Sequence, residues 1–287
     1  MLDTVIEARK KDLGDGLVVG RVLPVARRRM VGPFVFLDHM GPADFLPGEG
    51  IDVRPHPHIG LATVTFLFDG EIYHRDNLGY RQAIRPGELN WMSAGSGIVH
   101  SERTDLSLRS KGGFMHGLQA WVALPEALEE SAPTFTHVDD RNLPIADDGR
   151  VFVRLVAGSA YGLSSAAPAL SPMFYAHADL IEGAKVALPS DYSERGAYIV
   201  FGRIRFESEI YEAGRMLVFK PGGEPALEAV DGPARLMLLG GEPLGQRFMW
   251  WNFVSSRKER IEQAKADWAA GRMALPVEES EFIPLPE

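Results

Sequence analysis

The sequence predicts an all-β protein with two antiparallel β-barrels and one C-terminal helix. Short apolar segments are separated by turn signals about every 8–12 residues, the spacing expected of β-sandwiches and barrels. Thirty glycines and twenty prolines are scattered over the 287 residues, which favours short strands joined by frequent turns. The order of strand signals in the first half recurs in the second half, which indicates two copies of one type of domain.

The N-terminal domain is predicted to span residues 1–130. Its strands are expected where apolar and β-branched segments end in Gly, Pro or Asn turns. The predicted strands cover residues 17–23, 31–39, 59–68, 71–76, 89–92 and 114–124. Asp69-Gly70, between two of these segments, is a strong hairpin signal because glycine readily adopts the positive φ that such turns require.

The C-terminal domain is predicted to span residues 131–287. Residues 125–150 are rich in Glu, Asp and Pro and are interpreted as the connection, with one short strand at 135–138. The strands predicted after it cover residues 151–156, 173–180, 184–188, 196–201, 204–207, 215–219 and 234–239, with a turn at Gly202. After residue 150 the only histidine is His177, without a second histidine at i+2, so no metal site is expected in this domain.

A helix is predicted at residues 256–271. Ser256 is a candidate N-cap, and Glu259 three residues later would complete a capping box. Gly271 supplies a stop signal. The apolar side chains at helical spacing are Ile261, Ala264 and Trp268. This face predicts docking of the helix against the chain's own barrel.

Composition narrows the classes of partner. The formal net charge of −9 argues against binding along a phosphate backbone, which requires clustered Lys and Arg. The chain has no cysteine, so disulfides and thiolate ligands are excluded. The first ten residues carry charges where a signal peptide needs an apolar core, and no apolar segment approaches the roughly 18–20 residues that span a bilayer. We therefore expect a cytoplasmic monomer that binds neither nucleic acid nor membrane.

Two pairs of potential ligands form the strongest functional signal. His56 and His58 are separated by one residue, and so are His100 and Glu102. Side chains at i and i+2 of a strand share a face, so each pair can address one point. Three imidazoles and one carboxylate suit iron, manganese, nickel, copper or zinc. The two pairs can meet only if the fold joins distant strands, and the pattern predicts one mononuclear metal site in the first barrel.

The segments around these pairs resemble the signature blocks of the pirin family. They are residues 55–60 (PHPHIG), 86–102 (PGELNWMSAGSGIVHSE), 116–122 (HGLQAWV) and 240–244 (GGEPL). The resemblance implies a bicupin, in which two jelly-roll barrels lie face to face and only the N-terminal one binds metal. It also implies that His56, His58, His100 and Glu102 are the ligands of one divalent ion, with Fe(II) expected first and Mn, Ni, Cu or Zn as alternatives.

The resemblance further implies two functions of different classes. Some pirins have quercetin 2,3-dioxygenase activity, so we expect a phenolic substrate such as a flavonol, O₂ as co-substrate, and Glu102 as the catalytic base. The alternative is a non-catalytic, metal-dependent regulatory protein that binds a protein partner, as the vertebrate co-regulator does. An incompletely ligated ion favours the enzyme, because structural metal sites are normally closed by protein ligands.

Two features of the predicted site are left open by the sequence. Family members commonly have Glu four residues after the second histidine, where this chain has Ala62 followed by Thr63, so the groups that orient the ligands are uncertain. A flat phenolic ring would require apolar and aromatic walls. Candidates for these walls are Phe34, Phe36, Met40, Phe66 and Trp91. His39 and His116 are interpreted as structural or supporting residues rather than ligands.

Overall fold

The computed structural model describes residues 1–13 and 17–286, in which antiparallel strands predominate. In chain order the strands are β1 (Leu2–Glu7), β2 (Arg9–Asp12), β3 (Val18–Leu23), β4 (Phe34–Phe45), β5 (Asp52–His58), β6 (Leu61–Asp69), β7 (Ile72–Asp76), β8 (Arg81–Ile84), β9 (Leu89–Ser93), β10 (Ile98–Arg103), β11 (Gly113–Ala123), β12 (Thr134–Val138), β13 (Ile145–Asp147), β14 (Val151–Ala160), β15 (Leu163–Ser164), β16 (Met173–Leu180), β17 (Lys185–Ala187), β18 (Glu194–Phe206), β19 (Glu209–Glu212), β20 (Arg215–Phe219), β21 (Ala226–Gly241), β22 (Phe248–Trp250) and β23 (Phe253–Ser255). The α-helices are α1 (Leu106–Arg109) and α2 (Lys258–Ala269).

The chain divides into two compact units, each assembled from separate segments. One, here called the companion unit, comprises residues 1–10, 20–39 and 141–243. The other, the site unit, comprises the described residues of 11–19 and 40–140 together with those from 244 onward. The linear boundary between residues 130 and 131 stays a prediction. The structure adds that the first strand and much of the next forty residues pack with the second half of the chain.

The companion unit is built on a ten-stranded sheet. Its main path runs β1-β20-β18-β21-β16-β14-β13, with β15, β17 and β19 pairing beside β14, β21 and β18. Alternate residues of β16, including Phe174 and Ala176, enter one buried apolar cluster, as strand periodicity requires. The predicted turn at Gly202 is wrong. Gly202 has φ +81° within the continuous strand β18, where a β-bulge joins the two strands predicted separately.

The described residues of the site unit form two main sheets and the two-stranded sheet β22-β23. The smaller main sheet has the order β5-β10-β7-β8. The larger has the order β12-β9-β6-β11, followed by β4, β3 and β2, strands that the boundary between the units crosses. The predicted all-β, antiparallel class is confirmed and is compatible with a jelly roll. The sheets are not closed barrels, however, because each path of described strands is open and ends in edge strands.

Helix α2 lies where it was predicted and buries the predicted face. Ile261, Ala264 and Trp268 pack in one cluster with Ile59 and Phe253. Among the described residues, no helix is long and apolar enough to cross a bilayer.

The predicted N-cap of α2 is wrong. The N-cap residue is Arg257, and no side chain caps it. Ser256 instead donates its hydroxyl to Glu129 Oε1 at 2.7 Å and its backbone N–H to Glu129 Oε2 at 2.9 Å. Glu129 also accepts from the hydroxyl of Ser255 at 3.1 Å and is 2% exposed. A buried carboxylate therefore takes the hydroxyl that a capping box would need.

Candidate metal centre

Two paired strands carry the four predicted ligands. Strand β5 holds His56 and His58, and β10 holds His100 and Glu102. The strands are antiparallel neighbours with His100 opposite His56, so the distant ligand pairs meet through direct strand pairing. Residues opposite each other share a face with their i+2 neighbours, which brings the histidines together. A β-bulge between His100 and Glu102 shifts the register at the carboxylate.

The three histidines form a compact, buried group. Each offers a ring nitrogen, and these nitrogens lie within 4.8 Å of one another. The ring centroids are 4.4 Å apart for His56 and His100, and 5.0 Å apart for each of the pairs that include His58. All three side chains are buried. Nitrogen ligands of a single ion sit about 2.0–2.1 Å from it and so at most about 4.2 Å from one another, and the upper bound of 4.8 Å is compatible with one shared ion.

The ring nitrogens are in the state that binds a metal. His56 donates through Nδ1 to the carbonyl of Arg54 at 2.9 Å, which leaves Nε2 as a lone-pair donor. His58 and His100 each have a buried ring nitrogen without a hydrogen-bond partner. Burial lowers the pKa of His56 to about 4 and holds the pKa of His58 and of His100 well below 6.5. Neutral imidazoles with free nitrogens fit a divalent cation.

Glu102 follows His100 by two residues on β10 but does not belong to this group. Its carboxylate oxygens do not lie within 4.8 Å of all three ring nitrogens. Its Oε1 is 3.4 Å from Thr65 Oγ1 and 3.4 Å from Gln119 Nε2. Burial raises the pKa of Glu102, while His74, Thr65 and Gln119 act to lower it. The structure thus brings three predicted ligands together and places the fourth where side chains of β6 and β11 hold it.

A buried pair on β7 was missed by the sequence analysis. His74 Nδ1 is 3.3 Å from His100 Nδ1, and His74 Nε2 is 2.9 Å from Asp76 Oδ2. Strand β7 pairs with β10, with His74 opposite Glu102 and Asp76 opposite His100. The signal was present, because His74 and Asp76 have the same i,i+2 spacing as the two ligand pairs.

Glu279 holds β10 from the side opposite the ligands. Its carboxylate accepts from Ser101 Oγ at 2.8 Å and from Arg103 Nη2 at 2.8 Å. These two residues flank Glu102, and strand alternation directs them away from the face that carries it. The Glu279 side chain is 7% exposed, so its hydrogen bonds to β10 are largely shielded from water.

Ala62 does not face the centre. Thr65 contacts Glu102, and alternation along β6 places Thr63 on the same face as Thr65 and Ala62 on the opposite face. Ala62 is fully buried there. The departure from the family pattern therefore lies in the core behind β6, and Thr63 occupies the side of the site.

Two of the five candidate wall residues do not face the centre. Trp121 presents its ring edge-on to His58, with centroids 5.1 Å apart and planes at 80°. Phe66 and Trp91 lie on the face of the sheet opposite to Thr65, as their pairing register requires. Phe34 and Phe36 belong to the companion unit. Trp121 is thus an aromatic residue that the structure places against a candidate ligand.

The remaining histidines have other partners. His39, in the companion unit, has Nδ1 2.8 Å from the hydroxyl of Tyr198. The ring of His116 lies 5.0 Å from that of Phe68.

His137 lies in a second group of potential ligands. Its Nε2 is 3.8 Å from Glu88 and 3.9 Å from Asp139, and its Nδ1 is 2.8 Å from Asn90 Oδ1. The Asp139 side chain is 43% exposed. These distances suit ordinary ion pairs at the surface.

Comparisons with known proteins agree with this architecture. The family model Pirin matches residues 16–122, and the model Pirin C-terminal cupin domain matches residues 175–274. A pirin-like protein of Caulobacter vibrioides is 55% identical, with 100% of both chains covered. A Pseudomonas aeruginosa relative, whose name proposes a quercetin 2,3-dioxygenase, is 38% identical over 93% of this chain and 83% of its own. The crystal structure of a quercetin 2,3-dioxygenase from Acinetobacter baumannii superposes with a TM-score of 0.90 at 31% identity, covering 99% of this chain and 95% of the other.

Proposed function

Because the chain belongs to the pirin family, we propose that it is a mononuclear metal protein that catalyses a quercetin 2,3-dioxygenase-type reaction. The substrate is a flavonol or a similar phenol, and the co-substrate is O₂. The ion is Fe(II), held by His56, His58, His100 and Glu102. The protein acts as a cytoplasmic monomer.

The observation that carries the proposal is the group of three neutral, buried imidazoles beside a carboxylate. A mixed nitrogen and oxygen donor set suits iron and its first-row neighbours rather than calcium or magnesium. The similarity to the Acinetobacter baumannii enzyme supports oxygenase chemistry at this centre. A bound divalent cation would stabilise the oxyanion of the substrate and bring the two reactants together.

Glu102 is proposed as the base that accepts the proton of the substrate hydroxyl. Desolvation raises the pKa of this carboxyl group, which brings it closer to that of a base suited to neutral pH. Thr65 and Gln119 both approach Oε1, so Oε2 is the atom proposed to take the proton. Trp121 packs against His58 and limits the movement of its ring.

The test is anaerobic reconstitution of metal-free protein with Fe(II), Mn(II), Ni(II), Cu(II) or Zn(II). Each form is exposed to O₂ and quercetin, and both quercetin loss and carbon monoxide release are measured. We expect turnover with at least one ion, Fe(II) first, and none with metal-free protein. If every metal-loaded form is inactive, the flavonol proposal is wrong and the alternative, a metal-dependent regulatory protein with a protein partner, is favoured.

A further inference from the structure

The proposed reaction does not use the buried pair formed by His74 and Asp76. The two residues are 3% and 1% exposed. His74 lies between Asp76 and His100, with nitrogen to oxygen and nitrogen to nitrogen distances of 2.9 and 3.3 Å. The ring of His74 is also stacked on Phe135, with centroids 4.4 Å apart and planes at 17°. A carboxylate and two imidazoles therefore form a chain that ends at a candidate ligand.

The chemistry of the three groups gives this chain a direction. A carboxylate only accepts hydrogen bonds, so His74 Nε2 carries the proton that Asp76 Oδ2 accepts. We take the His74 ring as neutral, so its other nitrogen, Nδ1, is an acceptor; a cationic ring would donate through Nδ1 and give His100 the opposite tautomer. The accepting His74 Nδ1 faces His100 Nδ1, which must be the donor. His100 consequently keeps its proton on Nδ1 and presents a bare Nε2, the buried nitrogen without a hydrogen-bond partner.

We propose that Asp76 and His74 are positioning residues that fix the tautomer of His100 and hold its Nε2 ready for the metal. This inference rests on the metal centre proposed above. Outer carboxylates that accept from a ligating histidine orient the ring and raise its basicity, and here the effect passes through a second imidazole.

The contacts of Asp76 make a single substitution informative. Its Oδ1 accepts from the backbone N–H groups of Leu78 and Tyr80, each at 3.0 Å. In an Asp76→Asn variant the carbonyl oxygen must stay with these two donors. The NH₂ group then takes the place of Oδ2 and donates to His74 Nε2. Every hydrogen bond in the chain reverses, so His100 Nδ1 becomes an acceptor and its proton moves to Nε2, where it blocks the metal.

A second substitution separates reversal from simple loss. His74→Phe keeps a ring that can stack on Phe135 but removes both nitrogens. His100 then loses its partner without being forced into the other tautomer. We expect His74→Phe to weaken metal binding less than Asp76→Asn does.

The companion unit supplies a matched control. His177 and Asp179 are also an i,i+2 pair on a strand, with His177 Nε2 3.2 Å from Asp179 Oδ2. Asp179→Asn makes the same chemical change beside a buried histidine of the other unit. Its metal affinity should equal that of the parent protein.

The first measurement needs no metal. Two-bond ¹H–¹⁵N correlation spectra of metal-free protein report the tautomer of His100, assigned through a His100→Gln variant. We expect the Nδ1–H form in the parent protein and in Asp179→Asn, and the Nε2–H form in Asp76→Asn. An Nε2–H form in the parent protein, or no change in Asp76→Asn, would overturn the inference.

The second measurement is the affinity for Fe(II) and Zn(II) by competition with a chelating dye. We expect a loss of about 10–100-fold in Asp76→Asn, the usual range for outer residues of metal sites. Equal affinities in the parent protein, Asp76→Asn and His74→Phe would refute the positioning role while leaving the metal centre intact. A parent protein that binds neither ion would instead overturn the proposed centre itself, and the positioning role would fail with it. Circular dichroism verifies that each variant is folded. If Asp76→Asn does not fold, the test is the comparison of metal affinity between His74→Phe and the parent protein, and equal affinities refute the positioning role.

Discussion

The hydroxyl of Thr65 donates to Oε1 of Gln119 across 2.6 Å, between the adjacent strands β6 and β11. Because the amide oxygen Oε1 accepts this proton, the other end of the Gln119 amide, Nε2, faces Glu102 and donates to it. Thr65→Val removes the bond with little change in volume. We expect the free energy of unfolding to fall by about 1–3 kcal/mol, because Gln119 Oε1 loses its buried donor. Urea denaturation measures this.

Thr63→Val is the matched control for Thr65→Val. Thr63 is equally buried and lies on the same face of β6, so its substitution reports the general effect of losing a buried hydroxyl. Metal occupancy should be unchanged in both variants, and quercetin turnover should fall further in Thr65→Val than in Thr63→Val. Identical effects of the two substitutions would contradict the orienting role of Thr65.

Removal of a proposed ligand should empty the centre. In His58→Ala two nitrogen donors remain, and in Glu102→Gln the carboxylate becomes a neutral amide. We expect metal content to fall from near one equivalent to a small fraction after dialysis against a chelator, as measured by plasma mass spectrometry. Full occupancy in both variants would show that the ligands are assigned incorrectly.

Metal-free protein should lose stability on acidification. Burial depresses the pKa of His56 from 6.5 to about 4, and the pKa values of His58 and His100 are lowered too. Below pH 6.5 the unfolded chain binds protons that the folded protein cannot, so the free energy of unfolding falls as the pH drops toward 4. His56 alone contributes a loss on the order of 3 kcal/mol across this window. Urea titrations at several pH values test this, and His56→Asn should flatten the profile.

Glu129 should be a major contributor to the stability of the site unit. Its carboxylate accepts three hydrogen bonds from Ser255 and Ser256 at the start of the chain segment that leads into α2. Glu129→Ala leaves these donors unsatisfied, and we expect a loss of about 3 kcal/mol in urea denaturation. Glu129→Gln retains an acceptor and should lose less. Glu130→Ala, at a more exposed carboxylate, is the control and should change stability by less than about 1 kcal/mol.

Glu279 should support the centre from outside. Without its carboxylate, Ser101 and Arg103 lose a common acceptor, and the segment of β10 around Glu102 becomes less rigid. We expect Glu279→Ala to weaken metal affinity by about 3–10-fold, less than the loss of a direct outer partner of a ligand. Glu278→Ala, at a neighbouring side chain that is 69% exposed, should leave the affinity unchanged. If competition with a chelator gives the same metal affinity for Glu279→Ala and Glu278→Ala, Glu279 does not support the centre.

Local periodicity predicted the parts of the fold that depend on neighbouring residues. Strands such as β16 and β20 were predicted with their observed bounds, because apolar alternation and flanking turns are local signals. The group of three histidines could be anticipated for the same reason, since i,i+2 spacing decides which side chains share a strand face. His74 has this spacing with Asp76, but the sequence analysis did not single the pair out.

Features set by distant contacts could not be predicted in this way. The hydroxyl of Ser256 is taken by Glu129, 127 positions earlier in the chain, so a sound local capping signal gave a wrong cap. Gly202 resembles a turn residue, yet its positive φ forms a bulge because β18 continues alongside β21. The partner of β1 is likewise a matter of tertiary pairing rather than composition.

The pairing of β1 with β20 has a consequence during synthesis of the chain. Leu2 on β1 pairs with Phe219 on β20, so β1 is synthesised more than two hundred residues before its partner strand. During this interval its backbone groups are open to other strands. Asp3 and Glu7 lie on this strand, and charges on an unpaired strand oppose association with other chains. Their replacement by threonine should therefore lower the yield of soluble protein during synthesis more than it lowers the stability of the purified protein.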